Sequence, residues 1–293
     1  MNNLYSWMAE YYAPLVVPLS VILGLLVGSF LNVVIYRLPV MMERESTLLA
    51  KEHLAIEPTE AERQPFSLTK PASRCPKCGH AVKPWQNIPV VSYLLLRGKC
   101  GHCRTPISMR YPAIEILTAC MFAAVAVRYG WSWLTLAGLV FTAMLIALTF
   151  IDADTQYLPD ELTLPLIWLG LLANYGGNGL VSLQQAVVGA VCGYMSLRLL
   201  NAAHKAVRGI DGMGGGDWKL LAALGAWLGA AVLLVVVFAA AIVGCVAALV
   251  MRVRQKEPMA FGPCLAVAGW LVFICYDKVS AGIRWWLHMS GLS

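Results

Sequence analysis

The sequence predicts an all-α polytopic membrane protein of about eight transmembrane helices with a cytoplasmic zinc-binding loop domain. Three observations lead there. Hydrophobic residues are 59% of the 293 and charged residues 13%, with mean hydropathy +0.68, too apolar for a soluble chain around one core. Apolar runs of spanning or near-spanning length recur along the chain, where a spanning helix needs about 20 residues. One long, polar, cysteine-bearing stretch interrupts them.

The apolar runs are 15–36, 113–128, 133–151, 163–174, 183–203, 218–229, 230–251 and 259–276. Of these, 163–174 and 218–229 are short for a span. The first is not expected to be a cleaved signal peptide: no basic region precedes it, and Gly28-Ser29-Phe30 continues into Leu31–Tyr36 without a small-residue cleavage site.

Charge sets the orientation. Twelve of the 22 Lys/Arg lie from Arg37 to Arg110, and Arg252, Arg254 and Lys256 share one short loop. Residues 1–14 and 174–183 have none, and Arg128 stands alone. The positive-inside rule then places 37–112, 152–162, 204–217 and 252–258 in the cytoplasm and the N-terminus outside. Topology accounts for the net charge of +6, so no nucleic-acid partner is inferred from it.

Helix 1 carries Asn32 in an apolar run. Arg37 is placed to snorkel to the interface, and Pro39 to close the helix. Asn32 is expected to bond a neighbouring helix across a small-residue face. Residues 40–70 mix six glutamates with Arg44, Lys51 and Arg63 and read as a solvated connection with some helix. Cys75, Cys78, Cys100 and Cys103 follow as C-x2-C-x21-C-x2-C. Two such knuckles present four thiolates to one tetrahedral ion, read here as structural zinc. Disulfides are disfavoured on the reducing side of the membrane. His80 and His102 flank the knuckles, and the other five cysteines are scattered singly in apolar runs as small hydrophobes. Between the knuckles, 83–99 is apolar around Trp85 and either lies at the membrane surface or covers a site. Glu115, near the inner border, pairs with Arg110 or Arg37 or contacts a cationic substrate.

The chemistry concentrates in two stretches. Five of the six aspartates (Asp152, Asp154, Asp160, Asp211 and Asp217) fall in or beside Phe150–Asp160 and Gly212–Lys219, the second containing G-x-G-D. Ionisable groups at a membrane border are functional candidates. Asp152 and Asp217, from different helices, suit acid–base cleavage of an amide: one carboxylate takes the proton of water while the other, protonated, activates the carbonyl or the leaving amine. Gly214–Gly216 lack a Cβ and permit close backbone approach. Asp217 at a helix start is the slightly better general base, Asp160 suits a cap or turn, and Asp154 points away from Asp152. Helix 8 begins with Phe261-Gly262-Pro263, which can bring a helix end to the same mouth. The tail Val279–His288 suits an interfacial helix.

These pieces resemble the type IV prepilin peptidases in order and over most of residues 28–264. The matching segments are Gly28–Pro39, the four cysteines, Asn87-Ile88-Pro89, Arg110-Tyr111-Pro112, Ile151-Asp152 with Leu158-Pro159-Asp160, Gly212–Lys219 and Phe261-Gly262-Pro263. Only the length and glutamate content of 40–70 depart from the pattern. The resemblance implies an aspartyl protease of the bacterial inner membrane with Asp152 and Asp217 as its catalytic pair. It also implies cleavage of the basic leader of prepilins or type II secretion pseudopilins after a glycine on the cytoplasmic side. N-methylation of the new terminus with S-adenosylmethionine would follow. No G-x-G-x-x-G stretch marks a methyl-donor site; loops near Asn32, Arg37 and Glu115 are the guess. On this reading 1–39 is the first membrane helix, 40–112 the zinc loop domain, 113–278 the protease core and 279–293 the interfacial tail. The alternative, a cation-coupled transporter, would put acids deep in several helices or show an inverted repeat. A zinc hydrolase would need an open ligand position, which four cysteines do not leave.

Overall fold

The computed structural model describes residues 2–251 and 260–291. Among them are α1 (Asn2–His53), α2 (Glu60–Arg63), α3 (Val91–Leu95), α4 (Arg110–Tyr129), α5 (Trp133–Thr155), α6 (Asp160–Ala173), α7 (Leu183–Arg208), α8 (Gly215–Leu228), α9 (Leu233–Met251), α10 (Gly262–Ile274) and α11 (Tyr276–Met289). The only β pairing among the described residues is two isolated bridges. Each predicted apolar run gives a helix. Five helical segments are long and apolar enough to cross a membrane, or six if α10 and α11, bent by 86° at their junction, form one span. The helices α6 and α8, with 14 residues each, are about 21 Å long. They fall short of a bilayer core of about 30 Å. The expected eight therefore resolve into five full spans, the short helices α6 and α8, and α10, which makes a sixth span only together with α11. The basic loop with Arg252, Arg254 and Lys256 lies outside the described residues.

The chain divides into two compact units, Met1–Ala123 and Ala124–Ser293. In the first, α1 does not stop at Pro39 but runs through it to His53. Residues 40–53 are mostly good helix formers, so the helix resumes beyond the one bond that proline cannot make. Arg37 does not snorkel. It is buried, and its guanidinium donates to the carbonyls of Ser67 (2.9 Å) and Pro71 (2.7 Å). Phe66 lies beneath both Arg37 and Arg44, so the chain at 66–71 folds back onto α1. The expected small-residue face is present: a Cβ on Gly28 would sit 2.7 Å from the Glu115 Cα on α4. Asn32 Nδ2 donates to the Gly28 carbonyl (3.1 Å) and to the Tyr111 carbonyl (3.2 Å).

In the second unit, Phe141 (α5), Trp227 (α8) and Phe273 (α10) form a buried aromatic cluster, with Phe141 centroids 4.6 Å and 5.0 Å from the other two. The Trp227 indole also donates to the Leu166 carbonyl of α6 at 2.9 Å, so one side chain ties three helices to α8. Against α7, a Cβ on Gly189 would meet the Gly225 carbonyl at 2.2 Å; the two backbones touch, the small-residue packing of membrane helices. Ser182 caps α7 through the Gln185 amide, a contact worth about 1 kcal/mol. At the far end of α4 lies Arg128. It pairs with Asp277 and donates to the Ile274 carbonyl, which holds the α10–α11 bend.

Candidate functional site

The site is built where three helix ends meet in the second unit. Helix α5 terminates at Gln156, whose left-handed φ of 55° turns the chain and whose N–H returns to the Asp152 carbonyl. That puts Asp152 in the last turn, 4% exposed. Helix α8 starts after Gly214, so Asp217 lies in its first turn, 9% exposed. The turn into α6 carries Leu158, which packs against both other starts. A Cβ on Gly216 would be 2.4 Å from the Leu158 Cβ, and one on Gly262 would be 3.0 Å from its Cδ1.

Asp152 and Asp217 line one cavity of about 130 Å³ together with Gln156, Tyr157, Gly214 and Lys219. Oδ2 of Asp152 is buried without a hydrogen-bond partner, and the backbone amide of Gly262 faces the same carboxylate. A Cβ on Gly262 would come within 2.5 Å of that oxygen. The α10 start, which the sequence suggested only as a helix end near the mouth, thus packs directly against the Asp152 carboxylate.

Asp160 does not cap α6; Pro159 holds the cap position. Its carboxylate instead takes both bonds of the Lys219 ammonium, at 2.6 and 2.7 Å, and this pair laces the two aspartate stretches across the cavity mouth. Asp154 is exposed and outside the cavity lining. Asp211 belongs to a separate arrangement that sequence reasoning missed. Buried Asn201 accepts from the Gly212 and Met213 amides (2.9 and 3.1 Å) and donates to Asp211. Lys205 also bonds Asp211 (2.8 Å) and, with Asn201, holds its carboxyl below the ordinary value. Asn201 fixes the loop entering G-x-G-D. The signal was the one applied to Asn32, an amide side chain within an apolar run.

In the first unit, the four sulfur atoms of Cys75, Cys78, Cys100 and Cys103 lie within 4.8 Å of one another. Each knuckle closes on itself, the Cys75 amide bonding the His80 carbonyl and the Cys100 amide the Thr105 carbonyl. The Cys75–Cys103 separation of 3.7 Å matches the edge of a tetrahedron with metal–sulfur bonds of about 2.3 Å. The group can therefore hold a metal ion. His80 and His102 stack face to face beside it, centroids 4.6 Å apart. The Glu115 Oε2 accepts from the Val90 amide at 2.7 Å. Asn32, Arg37 and Glu115 are each hydrogen-bonded to backbone groups of the first unit.

Residues 22–129 match the model of the bacterial peptidase A24 N-terminal domain, and residues 139–249 that of the type IV leader peptidase family. A relative from Neisseria gonorrhoeae, named prepilin leader peptidase/N-methyltransferase, is 60% identical over 94% of this chain and 96% of its own length. Proteins of the same name from Dichelobacter nodosus (50% identical; 86% and 88% covered) and Pseudomonas aeruginosa (47%; 93% and 93%) are similar too. No solved structure matches.

Proposed function

The chain belongs to the type IV leader peptidase family, and on that premise we propose that it removes the leader of prepilins or pseudopilins and then methylates the new N-terminus. Cleavage after a glycine, at the cytoplasmic face of the inner membrane, by Asp152 and Asp217 is our finer reading. The observation that carries it is a single cavity lined by two buried aspartates from different helices. One carboxylate accepts a proton as water adds to the scissile carbonyl. The other gives its proton to the oxygen or the departing nitrogen, so the C–N bond breaks with an amine as leaving group. The helix ends do not divide these roles. Asp217 lies in the first turn of α8 and Asp152 faces the start of α10, so each carboxylate sits at a positive helix end. The transporter reading is not favoured, because the acids gather at one cavity instead of lining a path through several helices.

Purified protein incubated with a peptide carrying a basic leader, a glycine and a following phenylalanine should yield one cut after the glycine, read by mass spectrometry. An intact peptide with folded, inserted protein would overturn the reading. The methyl donor would be S-adenosylmethionine. Leaving it out should keep the cleavage rate within about twofold and abolish only the added methyl mass; a strict requirement for it in cleavage would rule out independent steps.

Zinc is the metal we assign to the four thiolates, in a structural role, since a closed four-sulfur shell leaves no position for substrate. Because such a site couples metal binding to loop folding, Cys75→Ser or Cys100→Ser should lower zinc content from about one per chain to near zero. Residues 71–109 should become more open to proteolysis. Full zinc occupancy by elemental analysis in both variants would remove the site.

A further inference from the structure

The short helix α3 is turned inside out relative to a water-facing loop. Its one polar side chain at the first turn, Ser92, is buried, while Val91, Leu94 and Leu95 point outward at 49%, 67% and 72% exposure. Trp85 and Ile88, just before it, are exposed to a similar degree. Isolated exposed apolar residues need no explanation, but a contiguous patch does.

What covers it follows from how α3 is anchored. The Val90 amide is bonded to Glu115, which lies five residues inside α4, one of the helices long and apolar enough to span a membrane. Five residues of helix are about 7.5 Å, so the start of α3 sits beside α4 below its first residue. The Tyr93 hydroxyl reaches the Ile107 carbonyl and the Met109 sulfur, directly ahead of α4. Val90 itself takes φ 56°, ψ −48°, a conformation that β-branched residues avoid; the Glu115 bond holds the chain in that turn. Residues 71–109 also carry six Lys/Arg and not one Asp or Glu, a balance that suits anionic headgroups. Apolar side chains flanked by an aromatic and by lysine and arginine are the pattern of a segment lying in the interface plane.

We propose that Trp85–Leu95 is an interfacial segment that lies in the headgroup–acyl boundary of the bilayer, its apolar face in lipid, and so seats the cysteine knuckles at the membrane surface. This goes beyond the proteolytic reading and does not depend on it.

The full chain, labelled with 5-fluorotryptophan and placed in nanodiscs of phosphatidylethanolamine and phosphatidylglycerol, provides the test. The Trp85 fluorine resonance is identified by its loss in Trp85→Phe, a substitution at an exposed position. A lipid carrying a doxyl group near the headgroup should broaden that resonance several-fold more than a water-soluble gadolinium chelate does. Equal or greater broadening by the chelate would place Trp85 in water and overturn the proposal. So would a resonance untouched by both agents, which would mean that protein, whether a substrate segment or a second copy, covers the patch.

Discussion

Asp152→Asn and Asp217→Asn are each expected to lower peptide cleavage by about 10³-fold or more, with the fold intact. Asparagine keeps the size and much of the hydrogen bonding of aspartate but cannot exchange a proton, and positioned acid–base groups contribute roughly 10²–10⁴ in rate. Asp152 gives up little on replacement, because its buried Oδ2 makes no hydrogen bond to lose. Residues working as one unit are not additive, so the double variant should be no slower than the worse single one. Cleavage should fall on both sides of a pH optimum, since one carboxyl has to be charged and the other neutral. Asp154→Asn should retain activity, its side chain being exposed and away from the cavity. Asp160→Asn should retain a measurable part, because it weakens a half-exposed ion pair with Lys219 and leaves Asp152 and Asp217 in place. The measurement is initial rate against peptide, with insertion checked separately. Full activity in folded Asp217→Asn would dismiss the two-aspartate mechanism.

What was legible in the sequence was what leaves a local mark. Four cysteines at knuckle spacing mark one site by their pattern alone, and their sulfur atoms are found together. G-x-G-D marks a helix start, and Asp217 is found in that first turn. What was not legible depends on partners far along the chain. Pro39 reads locally as a stop, yet α1 passes through it, because the residues that follow favour helix. Asp160 reads as a cap until α8 brings Lys219 to it across 59 residues. The glycines of the motif look alike in sequence and differ in place: Gly214 has open space around it, whereas Gly216 is pressed on Leu158.

Gly262→Ala is expected to produce the second-largest loss, on the order of 100-fold in kcat with KM little changed. The added methyl carbon would lie 2.5 Å from Oδ2 of Asp152 and 3.0 Å from Leu158 Cδ1, well inside van der Waals contact. Relief requires Asp152 or the start of α10 to move by about 1 Å, and displacements of that size at reacting groups can cost about 10²-fold. Neither can move freely. Asp152 is in the last turn of α5, whose middle is packed into the Phe141 cluster, and α10 is held in the same cluster by Phe273. Pro263 in the first turn further restricts the backbone there. Gly282→Ala, with nothing within 4 Å of the new atom, is the control and should cleave normally. Thermal unfolding in detergent distinguishes a displaced carboxylate from a damaged fold. A Gly262→Ala protein that melts like the parent and cleaves at the parent rate would show that the start of α10 plays no part in positioning Asp152.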